Sequence, residues 1–192
     1  RSTQGFSFRI MKSSPNSRLI SIGLGIDGDL GVFEFDRSTG RITNLLFRDW
    51  KPIQGHYYVG FSPNSELLYA TTKNLLLQYD LTRGNQSAIK QSEFVVDSIP
   101  GTVPWHFDLQ LAPNGKIYQL TNGSTSYLNS INCPDIYGSG CNYQTSTVFL
   151  KRPFSGNFFP TLNQTLYVNT HKLQAQSQGD TTLCKGDTTE LT

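Results

Sequence analysis

Charge is scarce in this chain. Only 16% of its 192 residues are Asp, Glu, Lys or Arg, against about 25% in an ordinary globular domain. The 16 basic and 14 acidic residues leave a formal net charge of +2, and no stretch gathers several basic residues together. A nucleic-acid partner, which needs a basic face to neutralise phosphates, is therefore not expected. Long apolar runs are also missing. Asn74-Leu75-Leu76-Leu77 is among the longest, far below the ~20 residues of a membrane helix, so no membrane insertion is expected. No segment sustains a helical period, which disfavours helical solenoids. The chain opens on Arg1 without a signal peptide, as a processed or excised segment would. Cysteine is limited to Cys133, Cys141 and Cys184, at spacings that fit no zinc site.

What fills the gap is Ser, Thr, Asn and Gly, the composition of short strands and many turns, with aromatics at 12% supplying large buried areas. Self-similarity is the strongest signal. Ser14-Pro15-Asn16-Ser17-Arg18-Leu19-Ile20 recurs 48 residues later as Ser62-Pro63-Asn64-Ser65-Glu66-Leu67-Leu68-Tyr69, and 50 residues after that as Ala112-Pro113-Asn114-Gly115-Lys116-Ile117-Tyr118. Each copy reads as strand, tight turn, strand. Pro presets φ at the first turn position, and Asn followed by Ser or Gly accommodates the next. Alternating residues precede the turns, as in Tyr57-Tyr58-Val59-Gly60-Phe61 and Phe107-Asp108-Leu109-Gln110-Leu111. A third strand closed by an Asp turn follows twice, ending at Asp36 and again at Asp80. The third repeat keeps only a remnant of it, Tyr127 to Asn132, before a loop flanked by Cys133 and Cys141.

Repeats of about 40–50 residues with about four short strands each are the signature of propeller blades. The expectation is an all-β fold of β-propeller-type repeats, about three blades plus a closing strand. Three blades cannot close a ring, so a larger propeller with further blades is expected. The repeats fall at about 6–50, 54–100 and 104–152, with a closing strand at 154–168 completing the propeller region 1–168. Residues 169–192 read as a linker and a first strand of a further domain.

The segments GVFEFDRSTGRITN, YYVGFSPNSELLYATT…LLLQYDLTRGN and LQLAPNGKIY…YLNSINCPD…GCNY resemble a WD-like propeller segment of large secreted Bacteroidetes proteins. The resemblance covers residues 6 to 168. It implies a secreted or cell-surface location and neighbouring Ig-like domains. It also implies a C-terminal sorting domain of the gliding-motility-associated, type IX secretion kind. Phe154-Ser155-Gly156-Asn157-Phe158-Phe159-Pro160 stands where that family has a Gly-Leu-Pro-Asn-Phe type strand, and Cys133 where it often has Asn. Leu183-Cys184-Lys185-Gly186-Asp187 resembles the entry to an Ig-like domain, whose later strand would hold the partner of Cys184.

Among candidate sites, Gly23-Leu24-Gly25-Ile26-Asp27-Gly28 matches G-x-G-x-x-G, but a strand rather than a helix follows, so it reads as an interstrand loop. Asp27 and Asp29 offer calcium only two carboxylates of the six to eight oxygens it takes, and a hairpin turn explains them. Asp36 and Asp80 read as turn caps. His56, His106 and His171 share no ligand spacing, and no metal, catalytic or cofactor motif is present. The three Asn-x-Ser/Thr sequons, at Asn85, Asn122 and Asn163, mark polar loops.

The patch Pro104-Trp105-His106-Phe107 enters a first strand where a propeller places side chains near its channel. Trp105 can stack on a sugar and His106 donate to a hydroxyl, with Tyr57 and Tyr58 one repeat earlier. The competing reading is packing between blades. Cys133 and Cys141 are a candidate local disulfide. The function expected is a non-catalytic scaffold or adhesion module binding extracellular glycan or protein. The alternative is part of a propeller hydrolase or lyase completed by other blades, with Asp27, Asp29, His56 and His106 converging.

Overall fold

The computed structural model describes residues 10–23, 28–51, 55, 58–99, 106–121, 124–156 and 158–160. Its strands form three four-stranded antiparallel sheets in sequence order, each a meander. Blade 1 comprises β1 (Ile10–Ser13), β2 (Leu19–Gly23), β3 (Asp29–Asp36) and β4 (Arg41–Trp50). Blade 2 comprises β5 (Tyr58–Phe61), β6 (Leu67–Thr71), β7 (Leu75–Asp80) and β8 (Phe94–Ser98). The helix α1 (Gln86–Gln91) precedes β8. Blade 3 comprises β9 (His106–Leu111), β10 (Ile117–Thr121), β11 (Ser124–Ile131) and β12 (Tyr143–Ser155). The first strands β1, β5 and β9 lie side by side and the sheets stack face to face. The fold is a run of β-propeller blades.

The repeated turn explains itself atom by atom. In blade 1 the Ser14 hydroxyl donates to Asn16 Oδ1 (2.7 Å) and accepts from Leu19 N–H (2.9 Å), and Asn16 Oδ1 accepts from Arg18 N–H (3.0 Å). Ser62, Asn64, Glu66 and Leu67 repeat all three bonds in blade 2. This arrangement puts Ser17 and Ser65 at φ of 60° and 66°, left-handed values that cost an L-residue free energy. Blade 3 has Gly115 there, at 78°. Its turn is also one residue shorter: Ala112 N–H bonds Lys116 C=O, where Ser62 N–H bonds Leu67 C=O. Lys116 therefore occupies the position of Leu67. The Asp turns behave as expected, Asp36 accepting from Ser38 N–H (2.8 Å) and Asp80 from Thr82 N–H (3.0 Å).

Alternation sends one face of blade 2 toward each neighbour. Val59, Phe61, Leu68, Ala70, Leu77 and Tyr79 pack on Leu30, Val32 and Phe47 of blade 1. Leu67, Tyr69 and Leu76 pack on Leu109, Leu111, Ile117 and Ile131 of blade 3. Gly60 suits a close approach, since a Cβ there would stand 3.1 Å from Leu109 Cβ and press on it.

Blade 3 differs from expectation in three ways. Its third strand is the full-length β11 rather than a remnant. Phe154 and Ser155 end β12, residues 158–160 carry no strand, and the rest of the expected closing strand, 161–168, lies outside the described residues. Cys133 and Cys141 are not bridged to each other. Their backbones face across the loop neck, Cys133 N–H bonding Cys141 C=O at 2.9 Å. The Cys141 side chain, however, is free, turned into the apolar cluster beside the Tyr69 hydroxyl. Burial raises its thiol pKa above the ordinary value. Cys133 is disulfide-bonded, but not to Cys141. Cys184 and the expected Ig-like strand lie outside the described residues.

Candidate functional site

Of the expected aromatic patch, Trp105 and Tyr57 lie outside the described residues. His106 opens β9, its backbone opposite Thr121 of β10. Tyr58 is 1% exposed. Its ring meets Phe107 and Phe158 edge-on, with centroids 6.1 and 5.7 Å away. A ring so covered has no face for a sugar, and its contacts join blade 2 to blade 3 and to the chain beyond it. Asp27 and His56 are also outside the described residues, while Asp29 makes a two-bonded pair with Arg48 (2.8 and 2.9 Å) between β3 and β4. Among the described residues no cluster of His, Cys, Asp and Glu could hold a metal. No helix there is long and apolar enough to cross a membrane.

The buried polar chemistry lies between blades. Lys12 of β1 pairs with Asp108 of β9 at 2.7 Å and also donates to Leu109 C=O. Burial lowers the Lys12 pKa, and the Asp108 carboxylate opposes that shift. The other Asp108 oxygen accepts from Phe159 N–H at 3.0 Å.

At the outer rim of blades 1 and 2, the Tyr79 hydroxyl lies 2.8 Å from Asp49 Oδ2 and 3.0 Å from Glu93 Oε2. Lys90 pairs with Asp49 at 2.7 Å and Lys51 with Glu93 at 2.6 Å, so two positive charges balance two negative ones. Burial, followed by the two carboxylates, raises the Tyr79 pKa far above the ordinary tyrosine value.

The loop of residues 132–142 clamps blade 3 onto blade 2. Tyr69 OH donates to Pro134 C=O (3.0 Å). Gln78 donates to Ile136 C=O (3.0 Å) and accepts from Gly138 N–H (2.7 Å). Asp135 accepts from Asn64 N–H (2.9 Å), and Tyr137 OH donates to Ser92 C=O (2.7 Å).

Two faces remain open among the described residues, and they differ. The outer face of blade 1 is mainly apolar, with the Asp29–Arg48 pair among its lining. Ile22, Leu30, Gly31, Phe33 and Leu45 line a groove of about 310 Å³ there, and Met11 beside Ile22 is 64% exposed. The outer face of blade 3 holds a polar cleft of about 360 Å³ lined by Lys116, Tyr118, Ser130, Asn132, Gln144 and Thr147. Sequence reasoning missed this cleft. The available signal was the deleted turn residue, which moves Lys116 into a leucine position.

No protein-family model matches the chain, and no curated protein matches it. Solved structures do. A Lactobacillus plantarum protein aligns over 81% of this chain and 46% of its own, at 17% identity and a TM-score of 0.51. Kuenenia stuttgartiensis hydrazine synthase aligns over 81% and 41%, at 14% identity and a TM-score of 0.48. Sqt1 from Chaetomium thermophilum aligns over 76% and 36%, at 13% identity and a TM-score of 0.46. The chain spans less than half the length of each of these. At such identities the likeness concerns the fold alone.

Proposed function

We propose that this chain is a non-catalytic scaffold or adhesion module of a secreted, surface-associated protein, contacting extracellular polysaccharide or protein through surfaces its blades leave open. The observation carrying this reading is how the buried polar groups are used. Lys12 with Asp108, Tyr79 with Asp49 and Glu93, and Gln78 with the 132–142 loop each join one blade to another. Polar chemistry committed to rigidity suits a presenting platform, whose contacts lie on loops and faces held by the scaffold. The sequence resemblance to gliding-motility-associated, type IX secreted proteins of Bacteroidetes supports the secreted location. Neighbouring Ig-like domains and a sorting domain on the same polypeptide belong to this reading.

The test is retention on insoluble and soluble glycans and on surface-protein extracts, with albumin as control. Retention above albumin, without release of reducing ends or other turnover, is the expected result. Retention no greater than albumin on every matrix overturns the adhesion reading. Turnover of a retained glycan overturns the non-catalytic one.

A further inference from the structure

The chain has three cysteines, Cys133, Cys141 and Cys184. Cys133 stands in a disulfide, while Cys141 is a free thiol. Within one chain, only Cys184 is left to supply the second sulfur. Cys133 is 5% exposed and sits at the root of the clamp between blades 2 and 3. Its N–H bonds Cys141 C=O, and its own C=O accepts from Ile136 N–H at 3.0 Å, which fixes the loop neck. The next two residues, Pro134 and Asp135, are the ones that blade 2 holds through Tyr69 OH and Asn64 N–H. A covalent bond at Cys133 therefore acts on the clamp itself.

Chemistry separates the two loop cysteines. Cys141 is 1% exposed, packed among Leu67, Tyr69 and Leu76 of blade 2. Burial raises its thiol pKa, and thiol–disulfide exchange proceeds through the thiolate, so Cys141 competes poorly for either sulfur. Distance allows the longer pairing. β12 carries the chain away from the clamp, and Phe159 N–H meets Asp108 near the start of β9. From there the way back to the clamp is about the length of a six-residue strand, ~20 Å. The roughly 24 residues from Pro160 to Cys184 extend to ~80 Å at most. The ring so closed holds about 50 residues, long enough for a cross-link to remove much freedom from the unfolded chain.

We infer that Cys133 is bridged to Cys184, which ties the C-terminal segment back to the clamp and takes the Cys184 sulfur from any later Ig-like strand. The two thiols give up two protons and two electrons, which reduce a small disulfide oxidant to two thiols. Such a bond persists in an oxidising compartment, so its survival in the natural protein rests on the secreted location proposed above. The test is peptide mapping of the full chain refolded with oxidised and reduced glutathione. Trypsin followed by chymotrypsin, which cuts after Tyr137, separates Cys133 from Cys141. The expected product joins the Cys133 fragment to the Cys184 fragment, with Cys141 alkylated only after unfolding. Cys184→Ser should lower the melting temperature by about 5 °C or more and quicken amide exchange in residues 132–142 about tenfold. Cys141→Ala should leave the bridge in place.

A fragment joining Cys141 to either other cysteine overturns the inference, as do three free thiols or a bridge between two chains. A Cys184→Ser chain with unchanged melting and exchange overturns the tie to the clamp. The same map is then made on the natural polypeptide recovered outside the cell, where Cys184 bonded to a cysteine further along overturns the inference. A bridge present in the refolded chain but reduced throughout in the natural polypeptide overturns the secreted location and leaves the pairing standing. Loss of glycan retention bears on the adhesion reading alone.

Discussion

Between blades 1 and 2 the fully buried side chains are apolar across the sheet faces, from Leu30, Val32 and Phe47 on one side to Phe61, Leu68 and Leu77 on the other, with charge at the rim on Asp49 and Glu93 around the Tyr79 hydroxyl. Between blades 2 and 3 the apolar set is smaller. Gln78 and Tyr69 instead bond main-chain groups of the 132–142 loop. One interface is held mainly by area and is indifferent to small displacements. The other is held by directional bonds and depends on one conformation of one loop.

Phe61→Ala should have the largest effect. It empties a fully buried site in the apolar interface, and the expected loss is about 3–5 kcal/mol in a urea unfolding curve. A loss under about 1 kcal/mol would mean that blades 1 and 2 hardly depend on each other. Gln78→Leu attacks the second interface with little change of volume. It strands Gly138 N–H and Ile136 C=O, for an expected loss of about 2–3 kcal/mol. Amide exchange should quicken in residues 132–142 and stay unchanged in β3 and β4. Uniform quickening would show that the two interfaces are one cooperative unit.

Tyr79→Phe should cost about 1 kcal/mol, because Lys90 and Lys51 still neutralise Asp49 and Glu93. A loss matching Phe61→Ala would make the rim, rather than apolar area, the main support of that interface.

The smallest effect concerns the turn at the end of β3. Hydrogen bonds from Ser38 and Thr39 lower the Asp36 pKa from 3.8 to about 2. A depressed carboxyl pKa contributes stability above the unfolded value that is lost as pH falls through the folded one. Asp36→Asn should therefore lower stability slightly at neutral pH and flatten the acid limb, the two curves converging as pH falls from about 4 to 2. An NMR titration placing the Asp36 midpoint near 4 would contradict the turn geometry.

The blades, their turns and the Asp caps were legible in the sequence because each is fixed by bonds between residues two to five apart, such as Ser14 to Leu19 and Asp80 to Thr82. The clamp was not legible. Two of its loop-side acceptors are the main-chain carbonyls of Pro134 and Ile136, which leave no mark on residue type. Pairing Cys133 with Cys141 by proximity failed because neighbouring backbones do not decide where a thiol points. The helix α1 has six residues, too few to display a period, although its Asn85 cap accepting from Ala88 N–H was in view as a sequon. The polar cleft was hidden by one deleted turn residue, which shifts the repeat by one position and turns an apparent Ile117 match into Lys116.

Asp108 receives Lys12 near one end of the described chain and Phe159 N–H near the other, on its two oxygens. A tether drawn between those ends therefore closes on itself at a single carboxylate. Under tension, force entering near Lys12 and leaving near Phe159 would cross this short neck before loading any strand pair. The three blades would hang from the line of pull, shielded until the neck parts. Asp108→Asn should then lower the first rupture force in single-molecule pulling and leave the later blade ruptures unchanged.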